Sequence, residues 1–294
     1  MKPKITVIGS INVDLITKVN QWPKPGETMT ADAFLQMHGG KGGNQAVASA
    51  RLGADAVMLG CVGEDSFGQE AVDHLKNENV RVDHVGRIPG AHTGLAFITL
   101  AENDNQIIVA PGANYACTPD WIVNHEEVIA ESDVILMQME IPLPTVAKAA
   151  EIARKHGVKV ILNPAPFQLI DKTLLALVDV LTPNEHEYAQ LKPSLSDFTG
   201  DLIVTRGDKG VAFIKNDQEI VKPGYQVEVV DTTGAGDTFN GALAAKWAET
   251  GSLEAAIDFA IVASALSVTK SGAQGGMPTL KDIHAFTETR RTRE

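Results

Sequence analysis

Short, uninterrupted apolar runs alternate along the chain with longer segments whose apolar residues recur every three or four positions. The runs are Ile5–Ile8, Val57–Val62, Val134–Met139, Val158–Leu162, Val178–Leu181 and Leu202–Thr205. The periodic segments are Gly43–Leu52, Gly68–Asn77, Leu143–His156, Glu185–Leu191, Asp237–Thr250, Leu253–Thr269 and Leu280–Thr287. A strand covered on both faces reads as a continuous apolar run, and the helix covering it shows a 3.6-residue period. The pattern therefore predicts an α/β protein, with a mostly parallel sheet between two helical layers. A further strand, alternating at Val227, Val229 and Val230, is expected just before the helix that starts near Asp237.

Two regions break the alternation of strands and helices. Residues 14–38 read as two strands around a Pro/Gly turn, and residues 94–110 as a hairpin with a polar turn at Glu102–Asn105. Neither has a helix beside it. The expectation is one domain over residues 1–294 that carries a small antiparallel sheet as a lid. No internal repeat or low-complexity segment interrupts it.

Polar residues collect where the apolar runs end. Asn12 and Asp14 follow the first run, Glu140 the third, Asn184 and Glu187 the fifth, Thr205 and Arg206 the sixth, and Asp231 and Asp237 the Val227–Val230 strand. Open parallel sheets bind ligands outside the carboxyl ends of their strands, so these residues mark one edge as a candidate site. The stretch DTTGAGDTFNG, Asp231–Gly241, is the sharpest part of that edge. Gly234 and Gly236 let the backbone approach a ligand, and the N–H groups and dipole of a helix start favour an anion there. Asp237 places a carboxylate beside that anion site. A simple phosphate pocket has no use for it, whereas phosphoryl transfer needs a base for the attacking hydroxyl.

Each motif also has a plainer reading when taken alone. Asp in the first helical turn is favoured by the dipole, and the cluster Gly39-Gly40-Lys41-Gly42-Gly43-Asn44 could be a flexible hinge. Asn184-x-x-Glu187 is a capping box. Glu140 is different, since a buried strand end needs no carboxylate; a hydroxyl-binding role explains it better.

Composition narrows the classes. The chain has 294 residues, 44% of them hydrophobic and 21% charged, which is ordinary for a globular protein. A net charge of −12 without a basic run argues against a nucleic-acid partner. Cys61 and Cys117 are the only cysteines and have no metal-binding spacing, which suits reduced thiols in the cytoplasm. The N-terminal run is too short for a signal peptide, and no stretch is long enough to span a membrane.

Taken together, the motifs resemble the ribokinase family, also known as the phosphofructokinase-B carbohydrate kinases. GGKGGNQAVASARLGA (39–54) is similar to the family's N-terminal signature and DTTGAGDTFNGALA (231–244) to its C-terminal one. SINVDL, QMEIP, TPNEHE and TRGDKG match in order and spacing, so the resemblance covers nearly the whole chain. It implies a ribokinase-like three-layer α/β/α fold with a Rossmann-like sheet and a lid, and ATP-dependent phosphorylation of the ribose 5-hydroxyl. Asp237 would be the general base, and the N–H groups of Gly234, Ala235 and Gly236 the anion hole. Asn12, Asp14, Gly40, Lys41, Gly42, Gly43, Asn44 and Glu140 would hold the sugar. ATP would lie along Asn184, Thr205, Arg206, Gly207, Asp208, Lys209, Gly210 and Gly236. Glu187 would organise magnesium through water. Asp231, Thr233, Ser267, Lys270, Gly272 and Gly276 would form a potassium loop, mostly through carbonyls.

The sequence departs from the family at three places. Gly43 stands where many members have Ala, Gly275–Met277 differs from the commoner loop ending, and Ile261 replaces the Asn or His often found beside adenine. The free edge of the lid sheet implies a homodimer through the lid. Competing readings are a related kinase acting on deoxyribose, fructose, a nucleoside or a sugar phosphate, and a sugar sensor without activity. A dinucleotide-dependent oxidoreductase is the weakest, because no G-x-G-x-x-G follows the first strand.

Overall fold

The computed structural model of the chain describes residues 2–102, 104–215 and 218–291. Its first half runs β1 (Lys4–Ile8), β2 (Asn12–Lys18), β3 (Ala33–Gly39), α1 (Lys41–Arg51), β4 (Asp55–Gly63), α2 (Ser66–Asn77), β5 (Val85–Ile88), β6 (Gly94–Ala101) and β7 (Asp104–Ala110). After a 3-10 turn come α3 (Pro119–Val123), α4 (Glu126–Ala130), β8 (Val134–Met137), α5 (Leu143–His156), β9 (Lys159–Leu162), α6 (Lys172–Leu175), β10 (Val180–Leu181) and α7 (Glu185–Leu191). The chain closes with β11 (Asp201–Thr205), β12 (Val211–Lys215), β13 (Gln218–Lys222), α8 (Ala235–Thr250), α9 (Leu253–Ser267) and α10 (Leu280–Arg291).

The large sheet has nine strands in the order β13-β12-β11-β10-β9-β8-β1-β4-β5. From β11 to β5 every pairing is parallel, and β12 and β13 add an antiparallel edge. Alternate residues of β8 show why these strands read as continuous apolar runs. Val134 and Leu136 pack into the core beneath α1, α8 and α9, while Ile135 and Met137 pack into the second core with α5. Each side chain has a helical layer to meet, so no position is left for a polar residue.

The smaller sheet has the order β3-β2-β6-β7. The two expected strand pairs are antiparallel, and the seam between β2 and β6 that joins them is parallel. Ile16, Leu35, Ile98 and Ile107 form one row across it, and Leu15, Phe97 and Ile108 a row on the opposite face. Of the turn expected at Glu102–Asn105, Asn103 lies outside the described residues.

One expected strand does not form. Val227–Val230 is irregular chain, with Val229 and Val230 exposed. The N–H groups of Val230 and Asp231 bond to the Val268 carbonyl instead of a sheet ladder. The edge of the sheet is taken by the β12–β13 hairpin, an element the apolar runs did not flag. The valine alternation reflects a cavity lining, since Val227 and Val229 face a pocket beside α8. Asp231 and Asp237 therefore follow a loop, and four strand ends rather than five present polar groups.

Candidate active site

Three loops meet at the start of α8. Gly234 caps the helix with φ 77°, and a Cβ there would lie 2.5 Å from the Ala273 carbonyl oxygen. Only glycine tolerates both the left-handed backbone and that approach. A Cβ on Gly236 would meet open space, so this turn faces outward to a ligand. The Ala235 N–H turns back to the Thr232 carbonyl at 3.3 Å.

Asp237 sits in the first turn of α8 and is buried. Its carboxylate accepts from Asn44 Nδ2 at 2.9 Å and from Gln45 Nε2 at 3.0 Å. Burial holds its pKa above the usual carboxylate range, against the opposing pull of Lys41 and these two amides.

The glycine cluster is a close crossing and not a hinge. A Cβ on Gly42 would lie 2.6 Å from the Ser10 backbone, and one on Gly40, at φ 83°, 2.7 Å from the Asn12 nitrogen. The start of α1 is thereby pressed onto the loop after β1, which carries Asn44 and Gln45 to Asp237. Gly43 has only distant neighbours at 3.9 Å, so alanine would fit there.

The remaining sugar-site candidates converge on the same place. Glu140 Oε2 accepts from the Lys41 N–H at 2.9 Å and from Ser10 Oγ. Asp14, on β2, titrates at about 6, raised first by burial and then by the charges of Glu140 and Asp237. Burial alone would lower the Lys41 ammonium, but Asp237, Glu140 and Glu187 outweigh it and hold its pKa above the usual value. Asn12 Oδ1 accepts from Asn114 Nδ2 at 2.7 Å, and Asn114 Oδ1 accepts from the Ile11 N–H at 2.9 Å.

Several residues that order this site were not singled out in the sequence. They are Ser10, Asn114, Gln45, Gln138 and Asn163. Gln138 Nε2 donates to Gln45 Oε1 at 2.6 Å, and Gln45 Nε2 also reaches Asn163 Oδ1 at 3.3 Å. The available signal was weak: polar side chains inside runs otherwise destined for the core.

A cavity of about 230 Å³ lies next to Gly236 and is lined by Thr205, Gly207, Asp208, Gly210, Phe239 and Ile261, among others. Of the residues expected along the nucleotide, Arg206 instead faces Glu219 at 2.7 Å and Lys209 faces Glu185 at 3.9 Å. Asn184 and Glu187 form a capping box on α7, with Glu187 Oε2 accepting from the Asn184 N–H at 2.9 Å. Burial pushes the Glu187 carboxyl up, against the pull of that N–H and of Lys41.

Behind the Gly234–Gly236 turn, Asp231 ties two loops together. Its Oδ1 accepts from the N–H and hydroxyl of Thr233 at 2.9 and 2.7 Å, and its Oδ2 from the Gly272 N–H at 2.8 Å. Although partial burial raises it, these bonds prevail and leave its pKa below the usual value. Gly276 lies close against the Ser267 carbonyl, a space that a Cβ would fill. Lys270 lines a separate surface cleft with Asp282. Among the described residues, no group of three or more His, Cys, Asp or Glu side chains could hold a metal.

The family model for pfkB carbohydrate kinases matches residues 2–280. The chain belongs to the pfkB family of carbohydrate kinases. It is 44% identical to a ribokinase of Lactococcus lactis subsp. lactis (strain IL1403), over 96% of each chain. It is 43% identical to a ribokinase of Bacillus subtilis (strain 168), over 95% of this chain and 97% of the relative. The solved structure of an Arabidopsis thaliana ribokinase complexed with ribose and ATP superposes with a TM-score of 0.89 at 32% identity, covering 97% and 98% of the two chains. This pfkB family member has the three-layer fold and lid sheet expected from its sequence. Among the described residues, no helix is long and apolar enough to cross a membrane.

Proposed function

We propose that this protein transfers the γ-phosphoryl group of ATP to the 5-hydroxyl of D-ribose, giving D-ribose 5-phosphate and ADP. One observation carries the reading: Asp237 is a buried carboxylate held by two amides at a glycine-capped helix start, between a polar pocket and the Gly236 cavity. Asn12, Asp14, Lys41, Asn44 and Glu140 orient the sugar so that its hydroxyl faces Asp237. The N–H groups of Gly234 and Gly236 take up charge on the transferred phosphoryl group, while that of Ala235 is held by the Thr232 carbonyl, and positioning with charge stabilisation supplies most of the rate. Asp237 receives the hydroxyl proton as the new P–O bond forms, and ADP leaves with the bridging oxygen. The raised pKa of Asp237 makes it a better base than an exposed carboxylate.

Glu187 and the Thr205–Gly210 loop suit ATP held with magnesium, which would neutralise phosphate charge. Asp231, the carbonyls near Ser267, and the Gly272–Gly276 turn suit potassium, which would firm the loop behind Gly234. The chain acts as one catalytic unit whose lid closes on the sugar and excludes water. The lid's exposed apolar residues, Phe34, Phe97 and Ile108 among them, support a homodimer through it. Free, buried Cys61 and Cys117 suit a reducing cytoplasm.

Asp14 and Glu140 disfavour an already phosphorylated sugar. The test is a panel of ribose, deoxyribose, fructose and a nucleoside with ATP, magnesium and potassium, read by ADP release. Ribose should give the highest kcat/KM, with ribose 5-phosphate as product. Faster turnover of another acceptor would replace the substrate, and sugar binding without ADP release would indicate a sensor.

A further inference from the structure

Asp237 does not hold its amide partners alone. Asn44 Nδ2 donates to it, Gln274 Nε2 donates to Asn44 Oδ1 at 2.8 Å, and His74 Nε2 lies 2.6 Å from Gln274 Oε1. The ionised carboxylate can only accept, so it fixes the direction of every bond behind it. Asn44 must present its nitrogen to Asp237 and its oxygen to Gln274. Gln274 must present its nitrogen to Asn44 and its oxygen to His74. His74 then donates from Nε2.

Gln274 is also gripped by its backbone. Arg51, about two turns after Asn44 on α1, donates from one terminal nitrogen to the carbonyls of Gln274 and Met277 at 2.6 and 3.0 Å. Its other nitrogens form a bidentate pair with Glu78 at 2.7 and 2.8 Å. The neighbouring Ala273 is the residue against which Gly234 packs. One turn, 271–276, thus reaches the base through the Gln274–Asn44 pair and packs on Gly234 through its backbone.

We infer that Gln274 is a positioning residue, which sets the orientation of the Asn44 amide and so keeps a donor on the base, Asp237. This rests on the phosphotransfer reading above. Without Gln274, the buried Asn44 oxygen has no donor and the amide is free to rotate. A carboxylate at 274 would actively reverse it, because Asn44 would then donate to residue 274 and turn its oxygen toward Asp237. Asp237 would lose a donor and face a lone pair, which favours its protonated form. The charged groups facing Asp237, namely Lys41, Glu140 and Asp14, are unchanged by Gln274→Met, whereas Gln274→Glu adds a negative charge that raises the Asp237 pKa through space as well.

A double-mutant cycle on kcat tests this. Gln274→Met should lower kcat about tenfold in the wild-type background and less than about twofold in Asn44→Ala, since a residue acting through Asn44 has nothing left to act on. Equal losses in both backgrounds would show that Gln274 only packs the loop, and would overturn the inference. A second measurement needs no turnover. The infrared carboxylic-acid band of Asp237, taken as the difference from the same protein carrying Asp237→Asn, should persist to a pH higher by about one unit in Gln274→Glu, and by clearly less when Asn44→Ala is added, where only the new charge acts; equal shifts in the two backgrounds would overturn the inference. An unchanged titration would also overturn the inference. A wild-type protein that binds but never phosphorylates a sugar would refute the proposed function, and the infrared comparison would still decide the role of Gln274.

Discussion

Asp14 and Asp237 are carboxylates placed where the fold alone would not keep them. Asp14 titrates at about 6 in the folded chain against 3.8 ordinarily. The folded state therefore binds its proton more tightly than the unfolded state does. Its contribution to stability is complete below about pH 4 and is lost as pH rises through about 6. Asp14→Asn should accordingly raise the melting temperature at pH 7.5, by the equivalent of up to about 3 kcal/mol, with the gain vanishing near pH 4. Sugar affinity should fall in the same variant. A melting temperature that is unchanged or lower at pH 7.5 would remove Asp14 from the set of strained site residues. The groups legible from sequence were those whose chemistry is wrong for their place: Asp14, Glu140 and Asp237 at the ends of apolar runs or at a glycine turn. Gln45, Gln138 and Asn163 were not legible. Their task is to hold other side chains, and a buried amide in a helix or strand looks the same whether it orders a site or only the core.

Elements were legible where one physical cause produced the pattern. The parallel strands covered on both faces read correctly, half-exposed β5 (Val85–Ile88) was missed, and the capping box of Asn184 and Glu187 is present as its spacing implies. Val227–Val230 misled because alternation arises equally from a pleated strand and from loop side chains that line a cavity. The glycine cluster was ambiguous in sequence, since a hinge and a close crossing both call for glycine; the contacts of Gly40 and Gly42 decide for the crossing. The turn behind Gly234 permits a direct prediction. A methyl at position 276 would collide with the Ser267 carbonyl. Gly276→Ala should lower kcat on the order of 10- to 100-fold and abolish any difference between potassium and sodium buffers. Equal wild-type rates in the two buffers would show that this loop has no cation role.

At the scale of the whole molecule, the small sheet carries an exposed outer strand. Strand β7 is exposed along nearly its whole length, with Ile107 on the face toward Asp231 and Ile108 on the other. An exposed, apolar edge strand is a pairing surface in waiting. The protein should sediment as a dimer at micromolar concentration, and Ile107→Lys/Ile108→Lys should make it a monomer. A wild-type monomer would refute a dimer through the lid. The central claim, however, concerns Asp237, on which the polar pocket, the glycine-capped helix start and the amide chain all converge. Its most direct test is Asp237→Asn, which keeps the shape and removes the base, with turnover and ribose affinity measured on the same sample. Turnover should fall by about two to four decades while calorimetry shows ribose binding largely kept. Turnover close to that of the wild type would contradict the assignment.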